Sequence, residues 1–402
     1  MKKKLILAKN ILRGKELEVV ENSAIIINDS KIEKILDRKE IKNSEEYEVI
    51  DLGDMTVLPG MIECHNHLCI DARLHNHLEL LGYSSEADLT LIAIKGLKDD
   101  LLSGVTTARC MADKFNIDIK LKKKIEDGTI LGPSLLTAGI GMKASHGAGH
   151  IGLPHSGVEE FRRSARENLK NGASILKLFA TPGVAPIGQD FIHSYLAREE
   201  IKVVVEEGKR LNVPVAAHCI GGQALRDCVE MGVNVIEHAY AATDEDVEFL
   251  KFHNTWVDLT SGIYMDEARE EFLSDDSISK VRYHRENVTK ALEKVVKAGI
   301  PFVLGTDANH GLLYKEVGYA IQLGADKVTA LKGITSNAAI VCGLENEIGS
   351  IEEGLIADII AVDKNPIDNW DTLAKVNFVM KQGKVYSKPE NCSVEKVKSI
   401  LN

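Results

Sequence analysis

The sequence predicts an α/β protein: a (β/α)8 TIM-like barrel with a small β-sandwich domain formed from both chain termini. Apolar strand candidates follow one another through the middle of the chain, and amphipathic helix patterns lie between most of them. Short β-rich segments broken by Gly, Asn and Asp occur at both ends. We therefore assign residues 1–57 and 347–402 to the β-sandwich and residues 58–346 to the barrel.

The barrel prediction depends on eight short apolar runs. Alternation of strand and helix implies parallel pairing, and eight such units close into a barrel. A doubly wound open sheet is the alternative, but no Gly-x-Gly-x-x-Gly follows the first strand, so its usual phosphate-binding signature is missing. The strand candidates are Val57–Cys64, Val105–Met111, Ser134–Gly139, Ser174–Ala180, Val213–Cys219, Val233–His238, Thr255–Thr260 and Ile300–Thr306.

Two long helices are bounded by glycine and proline. The segment EADLTLIAIKGLKDDLLSG has helical periodicity and ends at Gly104, a typical helix stop. The segment KVRYHRENVTKALEKVVKAG ends at Gly299 and is followed by Pro301, which favours a helix end at that point.

Composition and charge narrow the class of protein. The chain has 402 residues, 44% hydrophobic content and a formal net charge of −11, with no basic stripe to bind nucleic acid. No run reaches transmembrane length, and the N-terminal run LILA is too short for a signal peptide, so we expect a cytoplasmic protein that does not bind membranes. Seven cysteines without a Cys-x-x-Cys pair indicate reduced thiols.

Polar residues with metal-binding groups interrupt or end five of the apolar barrel strands. Catalytic residues of such barrels lie at the C-terminal strand ends, so we expect these groups to meet at one face. One of them alone could be a hydrogen-bonded core residue, but five strands that deliver a ligand-type group to one face favour a metal site. The residues are His65 and His67 after strand 1, Lys177 on strand 4, His218 on strand 5, His238 on strand 6 and Asp307 after strand 8.

Two divalent ions, zinc in the first place, suit these imidazoles and this carboxylate. An ammonium at Lys177 would be repelled by both ions, whereas a carbamate formed from its amine and CO₂ is an anion with two oxygens. A hydroxide shared by the ions would be the nucleophile, and Asp307 would take its proton and pass it to the leaving group. The expected division is His65, His67 and Asp307 on one ion, His218 and His238 on the other, and N6-carboxylated Lys177 between them.

Taken together, these motifs resemble the amidohydrolase superfamily, in its subtype with a binuclear metal site and a carboxylated lysine. The segments PGMIECHNH, AAHC, IEHA and GTDA and the strand-4 lysine match the ligand positions. The segment GSIEEGLIADIIAVDKNP matches the closing strands of the small β-sandwich domain, so the resemblance covers nearly the whole chain. Glu63 stands where the family usually has Asp, at a position that supports the site and is not a ligand.

Within the superfamily, ILKLFATPGV, SHGAGHIGLPH, EHAY and GTDANHG most resemble the imidazolonepropionase-related, prolidase-like dipeptidases and carboxypeptidases. The resemblance implies hydrolysis of an amide C–N bond in a small molecule or short peptide, with Xaa-Pro or a C-terminal basic or other residue as substrate. It also implies that His146 or His150 after strand 3, and Tyr240 after His238, hold the substrate carbonyl or carboxylate. A hydrogen-bond donor at this place would stabilise the oxyanion that forms from the carbonyl. The alternatives are a solvent-facing loop for both histidines and packing for Tyr240.

Other functions stay open on the same residues. Some relatives hydrolyse amide, carbamate or urea bonds in xenobiotics, and the ligands also suit a cyclic amidase, a lactonase or a phosphoesterase. Deaminases and mononuclear imidazolonepropionases are disfavoured because strand 4 carries Lys177, and Gly221 stands where deaminases have Glu. A non-catalytic scaffold is disfavoured because the ligand set is complete, and self-association into a homo-oligomer is left open.

Further segments have weaker functional signals. The second HNHL motif, with His75 and His77, is expected in a structural place or at a cavity rim. His155, His193 and His310 are expected on exposed loops. The segment SGIYMDEAREEFLSDDSISK after strand 7 exceeds a usual connection and is expected to be a loop that covers the site. Its acidic residues would either select a basic substrate end or form a solvated surface.

Overall fold

Four β-sheets organise the part of the chain that the structure describes. The structure is a computed structural model that describes residues 2–147, 149–183, 187–188 and 193–388. In chain order the strands are β1 (Lys4–Leu7), β2 (Asn10–Arg13), β3 (Glu18–Glu21), β4 (Ser23–Asn28), β5 (Lys31–Asp37), β6 (Glu48–Asp51), β7 (Thr56–Pro59), β8 (Met61–Asn66), β9 (Val105–Cys110), β10 (Ser134–Leu136), β11 (Met142–Ala144), β12 (Leu153–His155), β13 (Leu176–Phe179), β14 (Val215–Cys219), β15 (Val235–His238), β16 (Trp256–Asp258), β17 (Phe302–Val303), β18 (Ile359–Val362), β19 (Val376–Lys381) and β20 (Lys384–Ser387).

Most helices lie between consecutive barrel strands, as the alternating pattern predicts. In the described ranges no helix combines the length and apolar character needed to cross a bilayer. The α-helices are α1 (His77–Tyr83), α2 (Glu86–Leu102), α3 (Ile117–Glu126), α4 (Val158–Asn171), α5 (Arg198–Arg210), α6 (Gly222–Met231), α7 (Asp244–His253), α8 (Gly262–Met265), α9 (Asp275–Lys297), α10 (Leu313–Gln322), α11 (Lys327–Lys332) and α12 (Ser336–Val341). Short 3-10 helices cover Arg38–Glu40, Ser44–Glu46, Lys114–Asn116, Glu267–Phe272 and Trp370–Ala374.

Eight parallel strands, β8, β9, β10 and β13 to β17, form the barrel in chain order. Strands β8 to β10 belong to one sheet and β13 to β17 to another. Backbone hydrogen bonds join the two sheets, because Ser174 N donates to Thr137 O (2.8 Å) beside β13 and Cys64 N donates to Leu304 O (3.2 Å) beside β17. The predicted (β/α)8 barrel is confirmed.

The predicted first barrel strand, Val57–Cys64, is two strands in the structure. Strand β7 pairs with β18 of the terminal sheets, and only β8 belongs to the barrel. The chain passes from one sheet to the other at Gly60, where a Cβ atom would lie 2.2 Å from Thr106 Oγ1. Glycine is therefore required at this turn, and the continuous apolar sequence concealed the break.

Both chain ends build a sandwich of two sheets, with orders β5-β4-β1-β6 and β20-β19-β18-β7-β2-β3. Ile25 and Ile27 of β4 share one buried core with Phe378 and Met380 of β19. Residues two apart on a strand point to the same face, so each sheet turns one apolar row inward. The predicted β-sandwich from both termini is confirmed, while its division from the barrel after residues 57 and 346 remains a proposal.

Helix α2 follows its sequence signals closely. The side chain of Ser85 caps its first turn by accepting a hydrogen bond from Asp88 N (3.2 Å). Leu89, Ala93 and Leu97, four residues apart, are buried on one face. The helix ends shortly before Gly104, whose φ of 100° is left-handed. The predicted helix and its stop are confirmed.

The six cysteines within the described ranges are free thiols. Cys64 and Cys219, which stand beside two of the predicted metal ligands, are buried in apolar clusters. Both observations agree with reduced, structural cysteines, as the sequence predicts.

Replacement of Gly305 by alanine tests the closure of the barrel between β17 and β8. A Cβ atom there would lie 2.4 Å from His65 Cβ and 2.5 Å from His65 N. We expect Gly305→Ala to lower the free energy of unfolding by about 1–3 kcal/mol or more, measured by urea denaturation. Gly183→Ala is the control, since a Cβ atom there meets nothing within 4 Å. Equal stability of the two variants would contradict the close approach.

Candidate active site

A cavity of about 680 Å³ opens at the C-terminal ends of the barrel strands, and all six predicted ligand residues line it. The ring centroids of His218 and His238 lie 4.5 Å apart, and those of His65 and His238 lie 4.9 Å apart. Asp307 Oδ1 lies 3.4 Å from His67 Nε2 and 3.6 Å from His65 Nε2. The structure thus brings together residues that are far apart in the sequence, as the strand-end pattern predicts.

Neighbouring acceptors fix the orientation of the two histidines at the end of β8. His65 Nδ1 lies 2.7 Å from Glu237 Oε2, and His67 Nδ1 lies 2.7 Å from the carbonyl oxygen of Ala112. Each ring therefore donates its Nδ1 proton and keeps Nε2 free as a ligand atom. A hydrogen bond at the ring nitrogen that does not bind the ion is typical of metal-binding histidines.

The histidines of strands 5 and 6 are held in a similar way. His238 Nδ1 lies 2.7 Å from Thr260 Oγ1, and His218 Nε2 lies 3.0 Å from Pro182 O. These contacts leave Nε2 of His238 and Nδ1 of His218 as ligand atoms. Thr260 also accepts a hydrogen bond from Tyr240 at its carbonyl oxygen (2.7 Å).

Burial keeps all four imidazoles in the neutral form that binds metal. It lowers the pKa of His218 to about 4, and it lowers the pKa of His65 and His238 well below the usual range. The pKa of His67 falls for the same reason. A positive charge on Lys177 adds to the effect at His65 and His218. At neutral pH these rings are available as ligands.

Lys177 is fully buried on β13, and its amine is the anomaly of the site. Nζ has no hydrogen-bond partner among the described residues and lies 5.4 Å from the ring centroid of Phe179. Burial lowers the pKa of Lys177 to about 8. A buried polar group without a partner is costly. Near pH 8 a large fraction of the Lys177 side chains is therefore a neutral, nucleophilic amine. Its hydrogen-bonding capacity is not satisfied by the described residues.

Asp307 sits on strained backbone at the end of the eighth strand. Its φ is 53°, and Ala308 and His238 also have positive φ, of 74° and 83°. Burial alone would raise the pKa of Asp307, but its electrostatic interactions with His65, His67 and Lys177 lower it overall. Non-glycine residues with positive φ often cluster at functional sites, where the surrounding structure holds them. Here Asp307 N donates to His65 O (2.9 Å), which fixes the loop.

Behind the cavity lies a buried ionic network that the sequence analysis did not single out. Arg109 Nη2 donates to Glu237 Oε1 (2.9 Å) and Asp258 Oδ2 (3.2 Å), and Arg109 Nε donates to Cys64 O (2.6 Å). Burial raises the pKa of Asp258 well above the usual range. Charged residues inside apolar strands were the signal used for Lys177, and the same signal could have found all three.

Glu63, the departure from the superfamily pattern, also lies behind the ligands. Its Oε1 accepts hydrogen bonds from His65 N (2.8 Å) and Thr306 N (3.0 Å) and so joins strands 1 and 8. Burial raises its pKa well above the usual range. Its place agrees with a supporting role.

Comparison with known proteins identifies the family. Residues 56–386 match the model of the amidohydrolase family. The chain belongs to the amidohydrolase family. Ochratoxinase of Aspergillus niger is 26% identical over 411 aligned positions, which cover 92% of this chain and 84% of that protein. Imidazolonepropionase of Pseudomonas savastanoi pv. phaseolicola is 25% identical over 391 positions, which cover 87% and 90%.

Solved structures of this amidohydrolase's relatives share its whole architecture. A Xaa-Pro dipeptidase with bound methionine in the active site superposes with a TM-score of 0.85 and 25% identity, covering 96% of this chain and all of the other. Aspergillus niger ochratoxinase gives a TM-score of 0.84 and 26% identity, covering 97% and 96%. The predicted superfamily, fold and enzyme class are confirmed: the protein is a hydrolase of C–N bonds, from a family that generally uses divalent metal ions.

The two histidines expected to contact substrate in this amidohydrolase lie on the exposed loop after β11. His146 packs edge-on against Tyr195, which lines the cavity, with ring centroids 5.3 Å apart. His150 is exposed and lies 5.7 Å from the ring of Tyr83. Neither imidazole is among the described lining residues, and Ala148 between them lies outside the described ranges. Their substrate contacts stay a prediction.

Tyr240 is buried rather than cavity-lining. Its hydroxyl donates to Thr260 O, and its ring lies 4.9 Å from Tyr264 and 5.0 Å from His238. In this arrangement Tyr240 holds Thr260, and Thr260 in turn contacts His238. The proposed contact with an oxyanion requires the hydroxyl to turn away from Thr260, and it stays a prediction.

Five further histidines with predicted positions lie in different surroundings. His77 begins α1 and lines the cavity, in agreement with a rim position, whereas His75 is exposed and is not among the described lining residues. His193 is exposed and also lines the cavity. The expectation of exposed loops is wrong for His155 and His310, which are buried.

His310 is buried because helix α2 leaves space for it. Its Nδ1 lies 2.8 Å from Asp100 Oδ2 and its Nε2 lies 2.9 Å from Ile70 O. Burial would lower the pKa of His310, but Asp100 raises it overall. A Cβ atom at Gly96 would lie 2.6 Å from His310 Nε2, so a single glycine on a distant helix decides the position. The local sequence GTDANHG contains no signal of that contact.

The segment after strand 7 is folded and is not the predicted loop. It contains α8, the 3-10 helix Glu267–Phe272 and the start of α9. Four of its six acids form ion pairs: Glu270 with Arg282 and Arg285, Glu267 with Arg285, Asp266 with Lys315 and Asp276 with Lys280. The segment does border the cavity, and the charged groups that it contributes there are Arg269 and Lys280 rather than a carboxylate. Selection of a basic substrate end by this segment is therefore not supported.

Replacement of Glu237 by glutamine tests whether the buried network orients His65. The variant keeps the shape but removes the charge that faces Arg109 and His65, so we expect zinc affinity to fall about 10–100-fold, with lower stability. Competition with a chelator and thermal unfolding would measure both effects. Glu248→Gln, at an exposed position on α7, is the control. Unchanged zinc affinity in Glu237→Gln would contradict the orienting role.

Proposed function

We propose that this amidohydrolase is a prolidase-like dipeptidase or carboxypeptidase that uses two divalent metal ions, zinc in the first place. The observation that carries the proposal is the buried, unpartnered amine of Lys177 inside a ring of neutral imidazoles and one carboxylate. The similarity to a Xaa-Pro dipeptidase over the whole chain supports a peptide substrate. The side-chain preference, whether for proline or for a C-terminal basic or other residue, is left to the substrate panel.

The donor set fits two ions. Ligand atoms of His65, His67 and Asp307 all lie within 4.8 Å of one another, and these three would hold one ion. His218 and His238, with adjoining rings, would hold the second. Neutral nitrogen donors and a carboxylate are the ligands that zinc prefers.

Carboxylation of Lys177 would complete both sites. A neutral amine attacks CO₂, an N–C bond forms and one proton is released, which leaves a carbamate anion with two oxygens. The pKa of about 8 makes the neutral amine accessible at physiological pH. The modification replaces a buried group that lacks a partner by one with two ligand atoms, so it removes the cost of the bare amine.

The proposed reaction is hydrolysis of the amide bond. Two ions bound there would polarise the scissile carbonyl and supply a hydroxide at neutral pH. Asp307, which is 25% exposed and has a lowered pKa, would take a proton and deliver it to the departing amine. Glu237 and Ala112 O hold His65 and His67 in position, and apolar cavity residues such as Phe179 and Ile263 would take up a substrate side chain.

The sequence is also the basis for proposals about the size of the substrate, the location of the protein and its partners. We propose a small molecule or a short peptide as substrate and a cytoplasmic location, without nucleic-acid or membrane partners. The net charge of −11 supports the absence of a nucleic-acid partner.

A substrate panel with zinc-reconstituted protein tests the function. We expect turnover of Xaa-Pro and other dipeptides to exceed turnover of a carbamate, a phenylurea, a cyclic amide and a lactone. Lys177→Ala should reduce dipeptide hydrolysis by about 10²-fold or more, because it removes a group that organises the reacting centre. Lys170→Ala, at an exposed position on α4, is the control. Dipeptide turnover at background level, or full activity in Lys177→Ala, would refute the proposal.

A further inference from the structure

We propose that Arg269 binds the free carboxylate of the substrate's leaving amino acid and so determines the specificity of the site for carboxylate-bearing amides. This inference rests on the proposed function, which it deepens by naming a specificity residue. It also distinguishes peptides from neutral ureas and carbamates, which the metal ligands alone do not.

Arg269 is fixed in place at the cavity wall. It lies on the 3-10 helix Glu267–Phe272 and lines the same cavity as the predicted ligands. Its Nη1 donates to Ile263 O (2.9 Å), which anchors one end of the guanidinium. Its Nε is buried and has no hydrogen-bond partner in the part of the chain that the structure describes. A held guanidinium with unused donors is prepared for a ligand.

Arg269 forms no ion pair with an acidic side chain within the described ranges, although it interacts electrostatically with Asp307 and Asp266. Two acids near it in its own segment are occupied, since Asp266 pairs with Lys315 and Glu270 with Arg282 and Arg285. Burial lowers the pKa of Arg269, although Asp307 and Tyr240 partly offset this effect. Arg269 as a whole is half-buried, so its charge is partly removed from water, and a carboxylate can offset that cost through two parallel hydrogen bonds.

The other charged groups at the cavity do not remove this need. Lys280 pairs with Asp276, and Lys143 donates to Gly149 O. Asp307 is the only carboxylate among the described lining residues, and it is committed to the ligand group with His65 and His67. The cavity therefore carries excess positive charge before any metal binds, which favours an anionic substrate over a basic one.

The position of Arg269 suits the chemistry of a peptide. The segment that carries Arg269 follows strand 7. The neighbouring strands 6 and 8 carry His238 and Asp307, so Arg269 lines the cavity on the side of these two ligands. In a dipeptide only one carbon separates the scissile nitrogen from the terminal carboxylate. A scissile carbonyl held at the ligand group therefore keeps the carboxylate inside the cavity that Arg269 lines. Tyr264, whose buried hydroxyl also has no partner among the described residues, lies in the same segment.

The kinetic test compares dipeptides with their C-terminal amides, which share the scissile bond and lack the negative charge. For wild-type zinc-loaded protein we expect kcat/KM to favour the free acid by about 100-fold, the effect of losing a paired buried charge. In Arg269→Met this ratio should fall close to one, and in Arg269→Lys it should be intermediate. Arg163→Met, at an exposed position on α4, should keep the wild-type ratio. A wild-type ratio near one, or an unchanged ratio in Arg269→Met, would overturn the inference.

A binding measurement separates this inference from the proposed function. Calorimetry on zinc-loaded protein should show that L-proline or L-methionine binds at least about 10-fold more tightly than the corresponding amide, and that Arg269→Met removes the difference. A carboxylate that only coordinated zinc would keep its advantage in Arg269→Met and so contradict the role of Arg269. Failure of all peptides to turn over would refute the peptidase function, whereas the calorimetric comparison would still decide the carboxylate site. Arg269→Lys provides the second variant if Arg269→Met does not fold.

Discussion

The buried ion pair between Arg109 and Glu237 is the interaction on which the site depends. Through it, strand β9 is tied to β15, while Arg109 also bonds Cys64 O on β8 and Asp258 on β16. The same Glu237 holds His65 in the tautomer that leaves Nε2 free. Removing either partner would leave an uncompensated charge in the barrel interior, at a cost of about 3–5 kcal/mol. One pair thus joins the packing of four strands to the orientation of a ligand.

A second buried cationic residue, Lys177, has no such partner among the described residues. This contrast with Arg109 is the reason to propose that Lys177 is carboxylated. Both side chains are fully buried inside the barrel, but Arg109 is matched by Glu237, whereas the amine of Lys177 is unbonded among the described residues. An unmodified, charged Lys177 would repel divalent ions, and an unmodified, neutral Lys177 would leave a buried polar group without a hydrogen-bond partner. The proposed conversion to a carbamate would resolve both problems, because the anion could bind metal ions, and Arg269 would supply the positive charge that an anionic substrate needs.

Much of the site was predictable because its residues are polar groups in apolar strands, and barrel topology brings strand ends together. Contacts between distant segments were not predictable. The break at Gly60 depends on Thr106, and the burial of His310 depends on Gly96. Glu237 was visible in the motif IEHA, but its partner Arg109 lies 128 residues away in sequence. The acids after strand 7 gave a misleading signal, because their pairing with arginines and a lysine is decided by tertiary packing.

The most direct measurement is a crystal structure of the protein grown with zinc and bicarbonate. Data collected at the zinc absorption edge should show two anomalous peaks about 3.5–4 Å apart among the histidines. The electron density of Lys177 should continue beyond Nζ as a planar group that contacts both ions. An unmodified lysine side chain under these conditions, or a single ion bound without it, would contradict the central claim.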